Sequence, residues 1–194
     1  MLLGLYGGSF DPVHRGHLLV AQAALEELSL DRLVFIPAAQ SPFKPGTHPA
    51  PGQQRIRWLR MALSGQTRCH VDPIELDRGG VSFTIDTVRH FRSRFPDSRL
   101  FYLIGADQVR LLPQWREAES LATMVEFVVI PRPGAQVVTL PGPFRLRSLR
   151  GWPLDVSSSL VRHRLMQGLP VGHLVPDPVA EALRSENAYP GLPC

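Results

Sequence analysis

The stretch Leu5-Tyr6-Gly7-Gly8-Ser9-Phe10-Asp11-Pro12-Val13-His14-Arg15-Gly16-His17 decides the reading of this chain. It opens on an apolar, β-like run over residues 2–6 that ends in two glycines. An amphipathic helical pattern follows, with Leu18, Ala21, Leu25 and Leu28 apolar and Glu26 and Glu27 polar. Strand, glycine turn and helix in this order open a nucleotide-binding α/β unit. Glycines let backbone N–H groups approach phosphate oxygens, and the helix N-terminus adds positive partial charge. His14 and His17, at i and i+3 around the first helical turn, point the same way. Two imidazoles aimed at a phosphate imply chemistry on that phosphate. The plainer alternative is two histidines that cap a helix.

The rest of the chain is compatible with such a unit. At 194 residues it suits a single domain, 1–194, with a real core and a C-terminal helical part from about residue 157. Hydrophobic residues are 44% and charged residues 20%, a globular balance. No run of eighteen apolar residues and no leader-like start is present, so a soluble, cytoplasmic protein without a membrane segment is expected. Cys69 and Cys194 have no metal-like spacing, and no structural disulfide is expected. The net charge is +4, but the arginines are scattered, and Arg145, Arg147 and Arg150 alternate as on one solvated face of a strand. This argues against nucleic acid as partner and suits small polyphosphates. Of the 21 cationic residues, twenty are arginine and one, Lys44, is lysine. Under that bias a single compact ammonium is a candidate functional group.

Strand and helix patterns alternate along almost the whole length. Residues 32–37, 100–104 and 125–130 read as buried strands, and 145–149 and 137–140 as weaker ones. Residues 69–76 read as a strand interrupted by Pro73. Helices are expected over 53–63, from Ser82 or Thr84 to Phe95, up to Pro113, over 115–122, after Ser157-Ser158-Ser159 and over 179–184. Residues 38–52 form a long Pro-rich loop. The pattern implies a doubly wound, mostly parallel α/β sheet with helices on both faces, a short C-terminal helical segment, and ligands at the carboxyl ends of the strands.

The glycine–histidine segment resembles the first motif of the His-x-Gly-His nucleotidyltransferase superfamily. Later segments are similar to one branch, the bacterial nicotinate-nucleotide adenylyltransferases. Ser41-Pro42-Phe43-Lys44 stands at the place of a Pro-Pro-His-Lys loop, with Phe43 where that family has histidine, and Arg55 opens the next helix as in that family. Ser82-Phe83-Thr84-Ile85-Asp86-Thr87, Gly105-Ala106-Asp107 with Trp115, Arg132-Pro133-Gly134, and Val156-Ser157-Ser158-Ser159 with Arg162 follow in the family's order. The resemblance spans about residues 2–185.

It implies a Rossmann-like nucleotidyltransferase fold. It also implies adenylyl transfer from ATP to nicotinate mononucleotide, giving the dinucleotide and pyrophosphate in NAD biosynthesis. His14, His17 and Lys44 would be catalytic. Gly7, Gly8, Ser9, Phe10, His17, Gly105, Asp107, Ser158, Ser159 and Arg162 would bind ATP. Ser9, Lys44, Thr84 and Trp115 would bind nicotinate mononucleotide. Taken alone, the serine run reads equally as a helix cap, and capping is the plainer alternative for Asp107 as well. Mg²⁺ is expected to arrive on the ATP phosphates, with no metal site in the protein. Trp58 and Trp152 are expected to pack, and His48, His70, His90, His163 and His173 to lie at the surface or cap. The rival readings are phosphopantetheine adenylyltransferase or another enzyme of the superfamily, a non-catalytic nucleotide sensor, and a nucleic-acid binder. Nicotinate against nicotinamide preference and a homo-oligomeric state stay open.

Overall fold

The computed structural model describes residues 1–42, 48–131, 140, 142–152 and 154–190. Among the described residues six strands, β1 (Leu2–Gly8), β2 (Arg32–Pro37), β3 (Cys69–Val71), β4 (Arg99–Gly105), β5 (Val125–Ile130) and β6 (Leu146–Ser148), form one sheet in the order β3-β2-β1-β4-β5-β6. Every neighbouring pair is parallel. The expected doubly wound architecture is present, with the chain reversing direction across the sheet between β1 and β4. That reversal opens a crevice at the carboxyl edge, where such sheets bind ligands.

The apolar runs of the strands are buried on both sides because successive residues point to opposite faces. Leu3 and Leu5 join Val34, Ile36, Tyr102 and Phe127 in a core layer closed by Ile85, Val88 and Phe91 of α4 (Thr84–Arg94) and Leu121 of α6 (Ala118–Met124). Tyr6, Phe35, Phe101 and Leu103 face the other layer. That layer holds Ala24 of α1 (Arg15–Glu27), Trp58 of α2 (Gly52–Ala62), Val161 of α7 (Ser158–Met166) and Leu183 of α8 (Asp177–Ser185). Trp58 is fully buried, as expected of a packing residue.

Four local expectations change. Residues 69–76 are not one strand: β3 stops at Val71, and α3 (Ile74–Arg78) starts directly after Pro73, which has no N–H to extend a ladder. Neither Ser82 nor Thr84 caps α4. Phe83 is in the cap position, and the Ser82 hydroxyl instead accepts the Ala39 N–H at 3.0 Å. The helix expected from Trp115 begins at Ala118, because Trp115 is extended and Glu117 is left-handed at φ 52°. Residues 106–114 form α5 (Ala106–Val109) and a 3-10 turn, Leu112–Gln114, in place of one continuous helix. Arg147, on the edge strand β6, pairs with the buried carboxylate of Glu126, and the exposed Arg150 beside it pairs with Glu27. Of the strand expected over 137–140, residues 137–139 lie outside the described residues and Leu140 is not in a strand; Cys194 also lies outside them.

Phe35 is fully buried, and its ring centroid lies 5.3 Å from that of Tyr6 and 5.5 Å from that of Phe10. Phe35→Ala is expected to cost about 3–5 kcal/mol in urea unfolding, and a loss below about 1 kcal/mol would mean that this layer collapses to fill the gap.

Candidate active site

β1 delivers Gly7 and Gly8 to the carboxyl edge of the sheet. A Cβ at Gly7 would sit 2.5 Å from the Tyr102 hydroxyl, so no larger residue fits without moving a buried ring. The loop then turns through Phe10, a non-glycine residue at φ 46°. Such a conformation costs on the order of 1–3 kcal/mol and lasts only where its surroundings enforce it. Here they do. The Phe10 ring is 1% exposed and packs edge-on against Tyr6 and His17, with centroids 5.4 and 5.0 Å apart.

A buried guanidinium holds the same loop from below. Arg55 of α2 donates from Nη1 to the carbonyls of Ser9 (2.8 Å) and Ala38 (2.9 Å) and from Nε to that of Ala50 (2.8 Å). Burial works against its charge, and the Asp11 carboxylate opposes that effect. The resemblance placed Arg55 in its helix; its reach into the glycine loop was not legible.

His14 is the N-cap of α1. Its backbone N–H donates to Nδ1 of His17 at 3.1 Å, and the two rings stack with centroids 3.6 Å apart. An Nδ1 that accepts a hydrogen bond carries no proton, so the neutral His17 ring carries its proton on Nε2 and presents it as a donor. The two histidines are therefore brought together as expected, and the capping geometry that was the plainer alternative is what sets the tautomer.

Two cavities open on this loop and share Gly8 and Ser9. The larger, about 750 Å³, is lined by His14, His17, Ser157, Ser158, Ser159 and Arg162, and also by an apolar set comprising Val20, Ala23, Ile130, Leu149, Trp152 and Leu154. Of the apolar set, Val20 and Ala23 belong to α1, Ala23 about 9 Å along the helix from His17, and a Cβ on Gly151 would touch Ala23 at 3.6 Å. The lining is thus amphipathic: hydroxyls, imidazoles, Arg162 and the carboxylates Asp11 and Asp155 together with the apolar set. Arg162 donates from Nη1 to the Asp11 carbonyl (2.6 Å) and from Nη2 to the Ser159 hydroxyl (3.2 Å). The Ser158 hydroxyl donates to the Pro12 carbonyl at 2.9 Å, while Ser157 caps α7 by accepting the Leu160 N–H.

The smaller cavity, about 220 Å³, is lined by Glu75, Ser82, Thr84, Tyr102, Asp107 and Trp115, among others. Trp115 stands edge-on to Tyr102 and Phe127. The Thr84 hydroxyl donates to the Tyr102 oxygen at 3.3 Å. Burial pushes the Tyr102 phenol and the Glu75 carboxyl up from their ordinary values, Glu75 despite hydrogen bonds from Thr87 and Ser82.

The structure divides the expected residues unevenly. His14, His17, Phe10, Ser158, Ser159 and Arg162 gather around the larger cavity, and Thr84 and Trp115 around the smaller one. Asp107, expected with ATP, lines the smaller cavity beside Thr84 and Trp115, and Gly105 ends β4 without lining either. Lys44 and Phe43, with Arg132, Pro133 and Gly134, lie outside the described residues. Trp152, expected to pack, is 53% exposed at the larger cavity, and His48 lines that cavity as well. Trp152 has no local motif around it, which is why the sequence did not single it out.

A family model described as cytidylyltransferase-like matches residues 5–164. A protein from Opitutus terrae named probable nicotinate-nucleotide adenylyltransferase is 41% identical over 97% of this chain and 98% of its own length. One of the same name from Gemmatimonas aurantiaca is 42% identical over all of this chain and 94% of its own. The chain belongs to the nicotinate-nucleotide adenylyltransferase family. It is an enzyme, a nucleotidyltransferase. The nicotinic acid mononucleotide adenylyltransferase of Plasmodium falciparum, solved with NaAD, superposes with a TM-score of 0.80 at 16% identity, covering 96% of each chain. At that identity the likeness speaks for the shared Rossmann-like fold.

Glu75 yields a test of the smaller cavity. Its folded value lies above the ordinary 4.5, so the folded state holds this proton more tightly than the unfolded one. Stability is therefore lost as pH rises from the unfolded value through the folded one. Glu75→Gln has no such loss. Between about pH 4 and 7 the urea midpoint of the wild type should fall relative to that of the variant, and a gap independent of pH would contradict the shift.

Proposed function

We propose that this enzyme transfers the adenylyl group of ATP to nicotinate mononucleotide, releasing nicotinate adenine dinucleotide and pyrophosphate. The observation that carries the reading is the pair of unequal cavities meeting at Gly8 and Ser9 in front of His14 and His17. ATP suits the amphipathic one. Its base takes the apolar side, with Val20, Ala23 and Leu149 around it and the exposed Trp152 as a stacking face. Its phosphates take the side of Ser158, Ser159 and Arg162, at the N-terminus of α7. The mononucleotide suits the smaller cavity. Trp115 offers a face to the pyridine, the first turn of α4 at Thr84 offers N–H groups to the carboxylate, and Asp107 faces a ribose hydroxyl.

The chemistry follows from the juxtaposition. A phosphate oxygen of the mononucleotide attacks the α-phosphorus in line; that P–O bond forms as the bond to the β-phosphate breaks, and pyrophosphate leaves with the electron pair. A phosphate monoester is already ionised near neutral pH, so no strong base is needed. The negative charge that spreads over the α-phosphoryl and leaving oxygens needs stabilising, so catalysis is positioning and electrostatics. The Nε2–H of His17 and the ring of His14 donate to those oxygens, and backbone N–H groups of the Gly8–Ser9 turn approach them. We assign Lys44, by resemblance, to neutralising the phosphates. Mg²⁺ would be carried by the ATP phosphates rather than by protein side chains and would supply further charge neutralisation there. Among the described residues no helix is long and apolar enough to cross a membrane. The reading puts the enzyme in the cytoplasm with its two nucleotides.

Purified protein with Mg-ATP and either nicotinate or nicotinamide mononucleotide tests this. We expect dinucleotide and pyrophosphate in equal amounts, with the nicotinate form strongly preferred. Pyrophosphate from neither acceptor would reject the reaction. His17→Ala should lower kcat by about 10²–10³-fold with little change in melting temperature, as for loss of one donor to a developing charge. Trp152→Ala should raise KM for ATP by about 5–100-fold and leave KM for the mononucleotide unchanged, the size of one lost base–aromatic stack. Equal effects on both substrates would remove Trp152 from the adenine side.

A further inference from the structure

We propose that Tyr189 is a positioning residue for the triphosphate of ATP: its hydroxyl fixes the Asp11 carboxylate, and Asp11 in turn sets the guanidinium of Arg162. The inference rests on the assignment of the larger cavity to ATP. Tyr189 lies 178 residues from Asp11 along the chain and beyond the 5–164 span that the family model matches.

Asp11 is 6% exposed, in the middle of the loop between the glycines and His14. Its Oδ1 accepts two hydrogen bonds, from the Ala50 N–H at 3.0 Å and from the Tyr189 hydroxyl at 2.6 Å. Its Oδ2 faces Nη1 of Arg162 at 3.5 Å, and the same Nη1 donates to the Asp11 carbonyl at 2.6 Å. With Oδ1 occupied on both lone pairs, the carboxylate cannot rotate without losing a short charge-assisted bond. Oδ2 therefore stays toward Arg162. Nη1 is held by Asp11 and Nη2 by Ser159, so the plane of the guanidinium is set at the cavity wall before any ligand arrives.

The hydroxyl is separable from the packing that brings it there. The Tyr189 ring packs near Trp58, with centroids 6.0 Å apart, as part of the large core layer. The preceding helix is anchored by Arg57–Glu186 (2.8 Å) and Arg15–Asp177 (3.2 Å). None of these contacts uses the phenolic oxygen. Burial and the Asp11 charge push the phenol up from its ordinary value, which keeps it an O–H donor throughout the physiological range.

Tyr189→Phe keeps the ring and removes the hydroxyl. Titration calorimetry with inorganic tripolyphosphate, with ATP and with nicotinate mononucleotide reads the result. We expect tripolyphosphate and ATP to bind about 5–10-fold more weakly, the equivalent of one net hydrogen bond, with the mononucleotide unchanged and the melting temperature close to wild type. In turnover KM for ATP should rise by the same factor. A double-mutant cycle separates positioning from general loosening: in an Arg162→Ala background, Tyr189→Phe should have no further effect on tripolyphosphate binding. Unchanged tripolyphosphate binding in Tyr189→Phe would overturn the inference. So would factors that multiply in the double mutant, or equal weakening of both substrates with a lowered melting temperature. The tripolyphosphate arm is independent of turnover. A wild type that binds it Tyr189-dependently yet makes no dinucleotide would fault the assigned reaction and support the latch.

Discussion

A guanidinium buried to 2% exposure, that of Arg55, ties together three backbone segments that the sheet alone would leave apart. Its donors reach the carbonyls of Ser9 after β1, Ala38 after β2 and Ala50 before α2. A charge in this position is not there for stability alone, since removing an ion from water costs several kcal/mol and only good geometry offsets it. What it achieves is a single shape for the loop that carries Phe10 in a strained conformation and presents His14 and His17. Asp11 balances the charge from the same loop, so cation and anion are both spent on backbone placement.

That loop sits at the point where the sheet reverses direction, between β1 and β4, and divides the crevice there. On one side α1, the end of β5 and the start of α7 wall the larger cavity; on the other α3, α4 and the segment after β4 wall the smaller one. The division suits a reaction between two nucleotides better than a hydrolysis. On the proposed reading each substrate is oriented by its own wall, and the reacting phosphates meet over Gly8 and Ser9. The stacked histidines line the larger cavity, with the Nε2 proton of a neutral His17 already placed by a backbone N–H. This arrangement is in keeping with a transition state that needs dispersed stabilisation more than a nucleophilic side chain.

The parts of this arrangement that were legible in sequence are those written locally. Alternating buried runs and amphipathic stretches carried the doubly wound sheet, and the glycine–histidine segment carried one wall of the larger cavity with the correct ring pairing. The less legible parts depend on long-range contact. Arg55 reads as an ordinary arginine at the start of a helix until its three carbonyls are seen. Tyr189 reads as a residue near the end of the chain, and Trp152 as one more core aromatic, yet it is half exposed. Asp107, which its motif placed with the adenosine, lines the same cavity as Trp115, a neighbourhood set by long-range packing after β4. Ser82 looked like a cap because serine often is one, whereas here its hydroxyl serves the Ala39 N–H across the loop.

The central claim is that the two nucleotides react directly, phosphate on phosphate, across the Gly8–Ser9 turn. The stereochemical course at the α-phosphorus tests it most directly. With ATP made chiral at that phosphorus by a single sulfur substitution, one in-line displacement must invert the configuration in the dinucleotide formed with nicotinate mononucleotide. Inversion is the result expected here. Retention would require two displacements through a covalent adenylyl-enzyme and would contradict the role assigned to His14, His17 and the divided cleft.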